Sequence, residues 1–245
     1  MPASCTTEFQ DVSNLNGFRP QVSCLTCRGV LSGYGCGGPG EPCVCPTNNA
    51  YFRLYNNVTR GQAAKIIAVS AGFNEDPGSR IYEDVPSSNT FYPWINRLSM
   101  RGIMGGYPCG GTGEPCGSGN RPYFRPFNEA SRGHIAKIVS NAWGFIDQVS
   151  GQIFEDVPAD STFYTWVQRL YMHGVMGGYP CGSPGEPCVL PNNRPYFRPY
   201  NATTRAQSSK IISNSFFPNC NPVLLDIPEP VPTAEMEMPM PLPTP

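Results

Sequence analysis

Residues 36–43 read CGGPGEPC, residues 109–116 CGGTGEPC and residues 181–188 CGSPGEPC. One eight-residue loop, closed at both ends by cysteine, is therefore written three times at spacings of 73 and 72 residues. Everything around it keeps the same step. Phe9 (FQDV), Tyr82 (YEDV) and Phe154 (FEDV) open three successive units, and Thr59 (TRGQ), Ser131 (SRGH) and Thr204 (TRAQ) recur in register with them. A fixed period of this length marks a tandem-repeat architecture, in which each unit is one supersecondary block that packs on its neighbours. The repeats span residues 9–73, 82–145 and 154–217, and residues 218–245, rich in Pro and Met, read as an extended tail.

Two cysteines seven positions apart, with Gly and Pro between them, can curl to disulfide distance. Zinc would want four ligands gathered at one point, and three equal pairs in separate repeats do not supply that. The expected bridges are Cys36 to Cys43, Cys109 to Cys116 and Cys181 to Cys188, each contributing about 2 to 3 kcal/mol in a chain-entropy account. Of the other five cysteines, Cys24 and Cys27 flank Leu-Thr and could be joined by Cys43 and Cys45 in a zinc set, but Cys43 is already claimed by its loop partner. Cys27 falls in the apolar slot of Met100 and Met172 and is the predicted free thiol.

Eleven Cys beside 28 Pro and 26 Gly suit an oxidising, extracellular setting. The opening MPASCTTEF has no basic region followed by an apolar one, so an export signal is expected to have been removed or to lie outside this sequence. No apolar run reaches the 18 or so residues of a membrane-spanning helix. With 17 Lys and Arg against 18 Asp and Glu, the charge carries no nucleic-acid footprint.

Each repeat reads as helix, loop, short strand, helix, a mainly α fold with short β segments. In the second repeat Asn89 or Thr90 can cap a helix through FYPWINRLSMRGI, with Phe91, Trp94 or Ile95, Leu98 and Ile103 near helical spacing. RPYFRPF follows the cysteine loop as a short extended stretch. The second helix starts at SRGHIAKIVSNAWGF, and the pairs Thr59 with Gln62, Thr204 with Gln207 and, more weakly, Ser131 with His134 have capping-box spacing.

The order F-x-D-V, aromatic helix, G-Y, F-R-P and T-R-x-Q with A-K-I-I resembles the S-layer homology domain across all three repeats. That resemblance implies a pseudo-threefold prism around a central helix bundle, and binding of a pyruvylated cell-wall polysaccharide through the arginines of the T-R-A-E-type motif, here Arg60, Arg132 and Arg205. The acidic residue of that motif is replaced by Gln62, His134 and Gln207, and the cysteine loops are not general in the family. Threefold closure would bring the start of the first repeat beside the end of the third, which suggests Cys5 to Cys220, with Cys24 to Cys45 as a further pair.

A cation at a helix start opposes the macrodipole, so a lone arginine there reads as a surface residue. Three in register, beside backbone N–H groups that favour an anion, read as carboxylate recognition. Thr59, Ser131 and Thr204 accompany them, and Tyr107 and Tyr179, in GGYP, are expected to face a ligand. Substituting the arginines should weaken retention on cell wall with little change in melting temperature. Trp94 and Trp166 share a helix position that holds Gln21 in the first repeat, and they read as core rather than sugar platform. The neighbouring acids Glu83 and Asp84, and Glu155 and Asp156, read as turn formers. Neither His134 nor His173 lies in a nucleophile motif, and no cofactor or metal motif is present, so no enzyme is expected.

Two functions remain: an anchor that binds an acidic polysaccharide at the cell surface, and a self-assembling subunit of an S-layer, sheath or filament. The second draws on the tail, where Val223, Leu224, Leu225 and Ile227 are apolar among prolines and would lie in a groove, either of their own prism or of a neighbouring copy, the latter giving an assembly that can grow.

Overall fold

The computed structural model describes Cys5 and residues 7–220. Six helices form there: α1 (Arg19–Cys27), α2 (Arg60–Ser70), α3 (Tyr92–Met100), α4 (Arg132–Trp143), α5 (Tyr164–Met172) and α6 (Arg205–Phe216), followed by a 3-10 turn at Pro218–Cys220. Of the tail read as extended from residue 218, Pro218–Cys220 instead form this turn, packed on α1 and α6, and residues 221–245, with the proposed groove contact, lie outside the described residues. No helix among the described residues is long and apolar enough to cross a membrane.

The stretch read as a short strand is thinner than expected. Backbone pairing among the described residues is confined to isolated antiparallel bridges, such as Tyr34 with Tyr51, Tyr107 with Tyr123 and Tyr179 with Tyr196. Further extension is prevented by Arg53, Arg125 and Arg198, which follow the buried Phe of each repeat with φ near 60°. A left-handed backbone at arginine is unfavourable and needs outside support. Asp11, Asp84 and Asp156 provide it: the carboxylate oxygens of Asp84 accept from Phe124 N at 2.7 Å and Arg125 N at 2.5 Å, and the other two repeat this. All three also lie in local turns, closed by Val12 N to Phe9 O, Val85 N to Tyr82 O and Val157 N to Phe154 O, as expected for Asp84 and Asp156. Each ties the start of its repeat to a segment about 40 residues on.

The second helices begin as their spacing predicts. Thr59, Ser131 and Thr204 each accept from the third helical N–H, and Gln62, His134 and Gln207 reach back to the cap backbone. The first helices lack such caps; α3 is capped by Phe91, with Asn89 accepting from Phe91 N instead.

The repeats are joined in a closed cycle. Helices α2, α4 and α6 contact one another, while α2 packs on α3, α4 on α5, and α6 on α1. At their starts, Val58 N donates to Thr203 O, Thr203 N to Ala130 O and Ala130 N to Val58 O, at 2.8, 3.0 and 2.8 Å. Small residues are fully buried on each of these helices, Ala64 and Ala68 on α2, Ala136 and Ser140 on α4, Ser209 and Ser213 on α6, which suits the close approach of three helices. Around them, Phe52, Phe124, Phe154 and Phe197 are completely buried.

Five disulfides form. The three loop bridges are Cys36–Cys43, Cys109–Cys116 and Cys181–Cys188, with Cα separations of 4.9 to 5.0 Å. The remaining pairs correct the expectation: Cys24 bonds Cys220 and Cys5 bonds Cys27, leaving Cys45, rather than Cys27, as an exposed free thiol. The reason lies on α1. Cys24 is on its buried face, against α6 and the 3-10 turn, so closure of the cycle is bolted by the helix and not by the N-terminal segment. Cys27, one turn later and half-buried, is left to the N-terminal segment. With Cys24, Cys27 and Cys43 in three different bridges, the zinc set falls apart.

Candidate functional site

Each candidate site starts from the stapled loop. The loop turns back on itself, with Gly110 N donating to Glu114 O at 2.7 Å, and so aims the Glu114 side chain at Arg125. The pair is bidentate, at 2.6 and 2.7 Å, and the same fork joins Glu41 to Arg53 and Glu186 to Arg198. That bond holds each glutamate below and each arginine above its ordinary pKa. The paired guanidinium lies 3.9 Å from the ring centre of a tyrosine: Tyr34, Tyr107 or Tyr179. The loop is therefore a presenter of glutamate, and the stack it builds fixes a tyrosine.

The glycine before that tyrosine is required by space. A Cβ on Gly33, Gly106 or Gly178 would meet the ring of Phe9, Tyr82 or Phe154 at 2.4 to 2.5 Å.

Arg60, Arg132 and Arg205 are not surface residues. They are 5 to 6% exposed, and each reaches into the next repeat of the cycle. Arg60 donates from Nε to Phe124 O and from Nη2 to Gly105 O; Arg132 does so to Phe197 O and Gly177 O, and Arg205 to Phe52 O and Ser32 O, all at 2.7 to 3.0 Å. Their ring neighbours are Tyr107 and Phe124, Tyr179 and Phe197, and Tyr34 and Phe52. Burial lowers the pKa of all three guanidinium groups. A helix-start anion site is absent from this arrangement, because the first two N–H groups of α2, α4 and α6 donate to backbone carbonyls of the next repeat, as Arg60 N does to Asn128 O and Gly61 N to Pro126 O. The arginines join the repeats together, and the expectation that their loss would leave the melting temperature nearly unchanged does not suit residues so placed.

Each arginine also borders a cavity between repeats. The Tyr34 cavity, of about 190 Å³, is walled by Arg205, Tyr34, Gln62, Lys65 and Phe91. The Tyr107 cavity, about 210 Å³, has Arg60, Tyr107, His134, Lys137 and Phe163. The Tyr179 cavity, about 610 Å³, has Arg132, Tyr179, Gln207, Lys210 and Phe18. Each wall carries an arginine and a lysine and no carboxylate. Such a surface suits a ligand with a carboxylate and hydroxyl groups.

Tyr107 and Tyr179 are thus brought together with Arg60 and Arg132, while Thr59, Ser131 and Thr204 are engaged in capping and are outside these walls. Trp94 and Trp166 are half-buried and face Lys65 and Lys137 at 4.8 and 4.5 Å. Residues missed from the sequence are Tyr34, whose SGYG setting departs from GGYP, and Lys65, Lys137 and Lys210. The lysines stand three positions after the capping Gln or His, one turn along the same helix face, and that spacing was a usable signal.

Compared with protein-family models the chain matches none, and a comparison with curated protein sequences finds no match.

Proposed function

We propose that the chain is a non-catalytic, exported cell-surface module of the S-layer homology type, folded as a pseudo-threefold prism around α2, α4 and α6, that binds an acidic cell-wall polysaccharide at a junction between its repeats. The observation that carries this reading is the pairing of Arg132 with Lys210 beside Tyr179, in a cavity of about 610 Å³ whose wall has no acid. That volume lies within the roughly 300 to 1,000 Å³ of small-ligand sites. The closed cycle of hydrogen bonds through Val58, Thr203 and Ala130 supports the prism, and five disulfides suit an extracellular setting.

Retention on purified cell wall tests it. Because the arginines hold the fold, the informative substitution is Lys210→Ala, at an exposed side chain. It should reduce retention several-fold with an unchanged melting temperature, and wild-type retention should weaken as salt rises. Mild acid treatment that strips pyruvate from the wall should release the protein. Retention indifferent to salt, to Lys210→Ala and to acid treatment would sink the reading. The alternative, a self-assembling subunit, draws on residues 223–245; large assemblies formed without glycan in size-exclusion chromatography would favour it instead.

A further inference from the structure

Three differences set the Tyr179 cavity apart from its two counterparts. At the positions of Gly61 and Gly133 stands Ala206. A Cβ on either glycine would lie 2.4 Å from the ring of Phe91 or Phe163, so those rings press on the helix start in a way that the methyl of Ala206 forbids to Phe18. Gly17 stands at the position of Thr90 and Thr162, the second of which lines the Tyr107 cavity, so the Tyr179 cavity has no side chain there. Gln21 replaces Trp94 and Trp166, and this decides where the lysine goes. Lys65 and Lys137 are half-buried on their indoles at 4.8 and 4.5 Å, whereas Lys210 is exposed. At about 190 and 210 Å³ the two tryptophan-flanked cavities fall below the usual range of ligand sites, and the third, at about 610 Å³, is well inside it.

We infer that the chain has one working ligand site rather than three, the Tyr179 cavity where the third repeat meets the first, and that Gln21 is the residue that keeps it open. The inference rests on the proposed binding of an acidic glycan and says where that glycan is held. Its ligand is a sugar unit bearing a carboxylate, with Arg132 and Lys210 in the wall facing the acid, and with Tyr179, whose hydroxyl is held by the Gln207 amide, beside its hydroxyl groups. In the other two cavities a ligand would first have to draw the lysine off its indole and displace the phenylalanine.

The experiment is calorimetric titration of the full chain with a 4,6-O-pyruvylated N-acetylhexosamine methyl glycoside and, separately, with glucuronic acid. One site per chain is expected. Gln21→Trp should weaken binding at least tenfold, and Lys210→Ala should weaken it while Lys65→Ala and Lys137→Ala leave it within about twofold. Trp94→Gln combined with Gly61→Ala, which rebuilds the open arrangement at the Tyr34 cavity, should add a second site. A melting curve on each variant separates a filled cavity from a damaged fold, and the lysine set decides if Gln21→Trp unfolds. Three equivalent sites, or equal losses from all three lysine variants, would overturn the single site while leaving glycan binding intact. Absence of wild-type binding both to the probes and to purified wall would overturn the binding reading itself, and this inference with it.

Discussion

The three stapled loops and the three first helices recur in the same register, yet the loops are alike where the helices differ. In each loop the glutamate forks onto an arginine that lies 3.9 Å from a tyrosine ring, so one wall of every cavity is built the same way. The opposite wall comes from the first helices. There α3 and α5 contribute Phe91 and Phe163, with Trp94 and Trp166 behind them outside the lining, whereas α1 contributes Phe18 and Gln21, with Cys24 and Cys27 following on the same helix. Threefold repetition supplies the scaffold, and departure from it marks the place where one junction does something the others do not. That junction is also the one whose partners are farthest apart in the chain, so it is where a covalent bolt contributes most.

Removing that bolt should have the largest effect on the fold. Cys24–Cys220 closes a separation of 196 residues, whereas each loop staple closes one of 7. In the chain-entropy account the first contributes about 5 kcal/mol and a loop staple about 2.5 kcal/mol. Replacing Cys24 and Cys220 by Ser should therefore lower unfolding free energy by roughly twice as much as replacing Cys109 and Cys116. Urea denaturation of the two variants measures the ratio, and equal losses would show that α1 and α6 hold together without the bolt.

Next in size is the arginine that crosses between repeats. Arg132→Ala leaves the carbonyls of Phe197 and Gly177 without their charged donor and empties a buried site, for a loss of about 3 kcal/mol. Arg132→Lys should recover little of it, since one ammonium cannot reproduce a planar fork onto two carbonyls. Full stability of either variant would mean that the contact between the second and third repeats does not depend on this residue.

What could be read from the sequence follows the range of the interaction. Capping boxes join residues three apart, and Thr59 with Gln62 was legible for that reason. The loop staples, seven apart, were legible too. Asp84 was legible as a turn former, but its partners Phe124 N and Arg125 N were not, since they are about 40 residues away and nothing local points to them. The arginines were found by register but misplaced, since burial comes from carbonyls 45 to 173 residues distant. Cys24 and Cys27, one turn apart on α1, could not be assigned partners without knowing which face of α1 is buried.

The smallest effect separates the second repeat from the other two through a single ring. His134 stands where Gln62 and Gln207 stand, and its Nδ1 accepts from Ser131 N at 3.3 Å, which requires an unprotonated nitrogen. Burial lowers its pKa below the ordinary 6.5, and the nearby charges of Arg60 and Lys137 push the same way. The unfolded chain therefore takes up the proton first as pH falls. Stability is complete above about pH 6.5, declines between there and the lower folded-state value, and levels off below it, with a slope no steeper than about 1.4 kcal/mol per pH unit. His134→Gln puts the amide of the other two repeats in that place and removes the titration while keeping the cap. Urea denaturation between pH 5 and 7.5, above the range in which Glu41, Glu114 and Glu186 protonate, should show a slope in the wild type that is flattened in His134→Gln. An unchanged slope would place the pH sensitivity elsewhere, and would make the histidine cap equivalent to its glutamine counterparts in charge as well as in geometry.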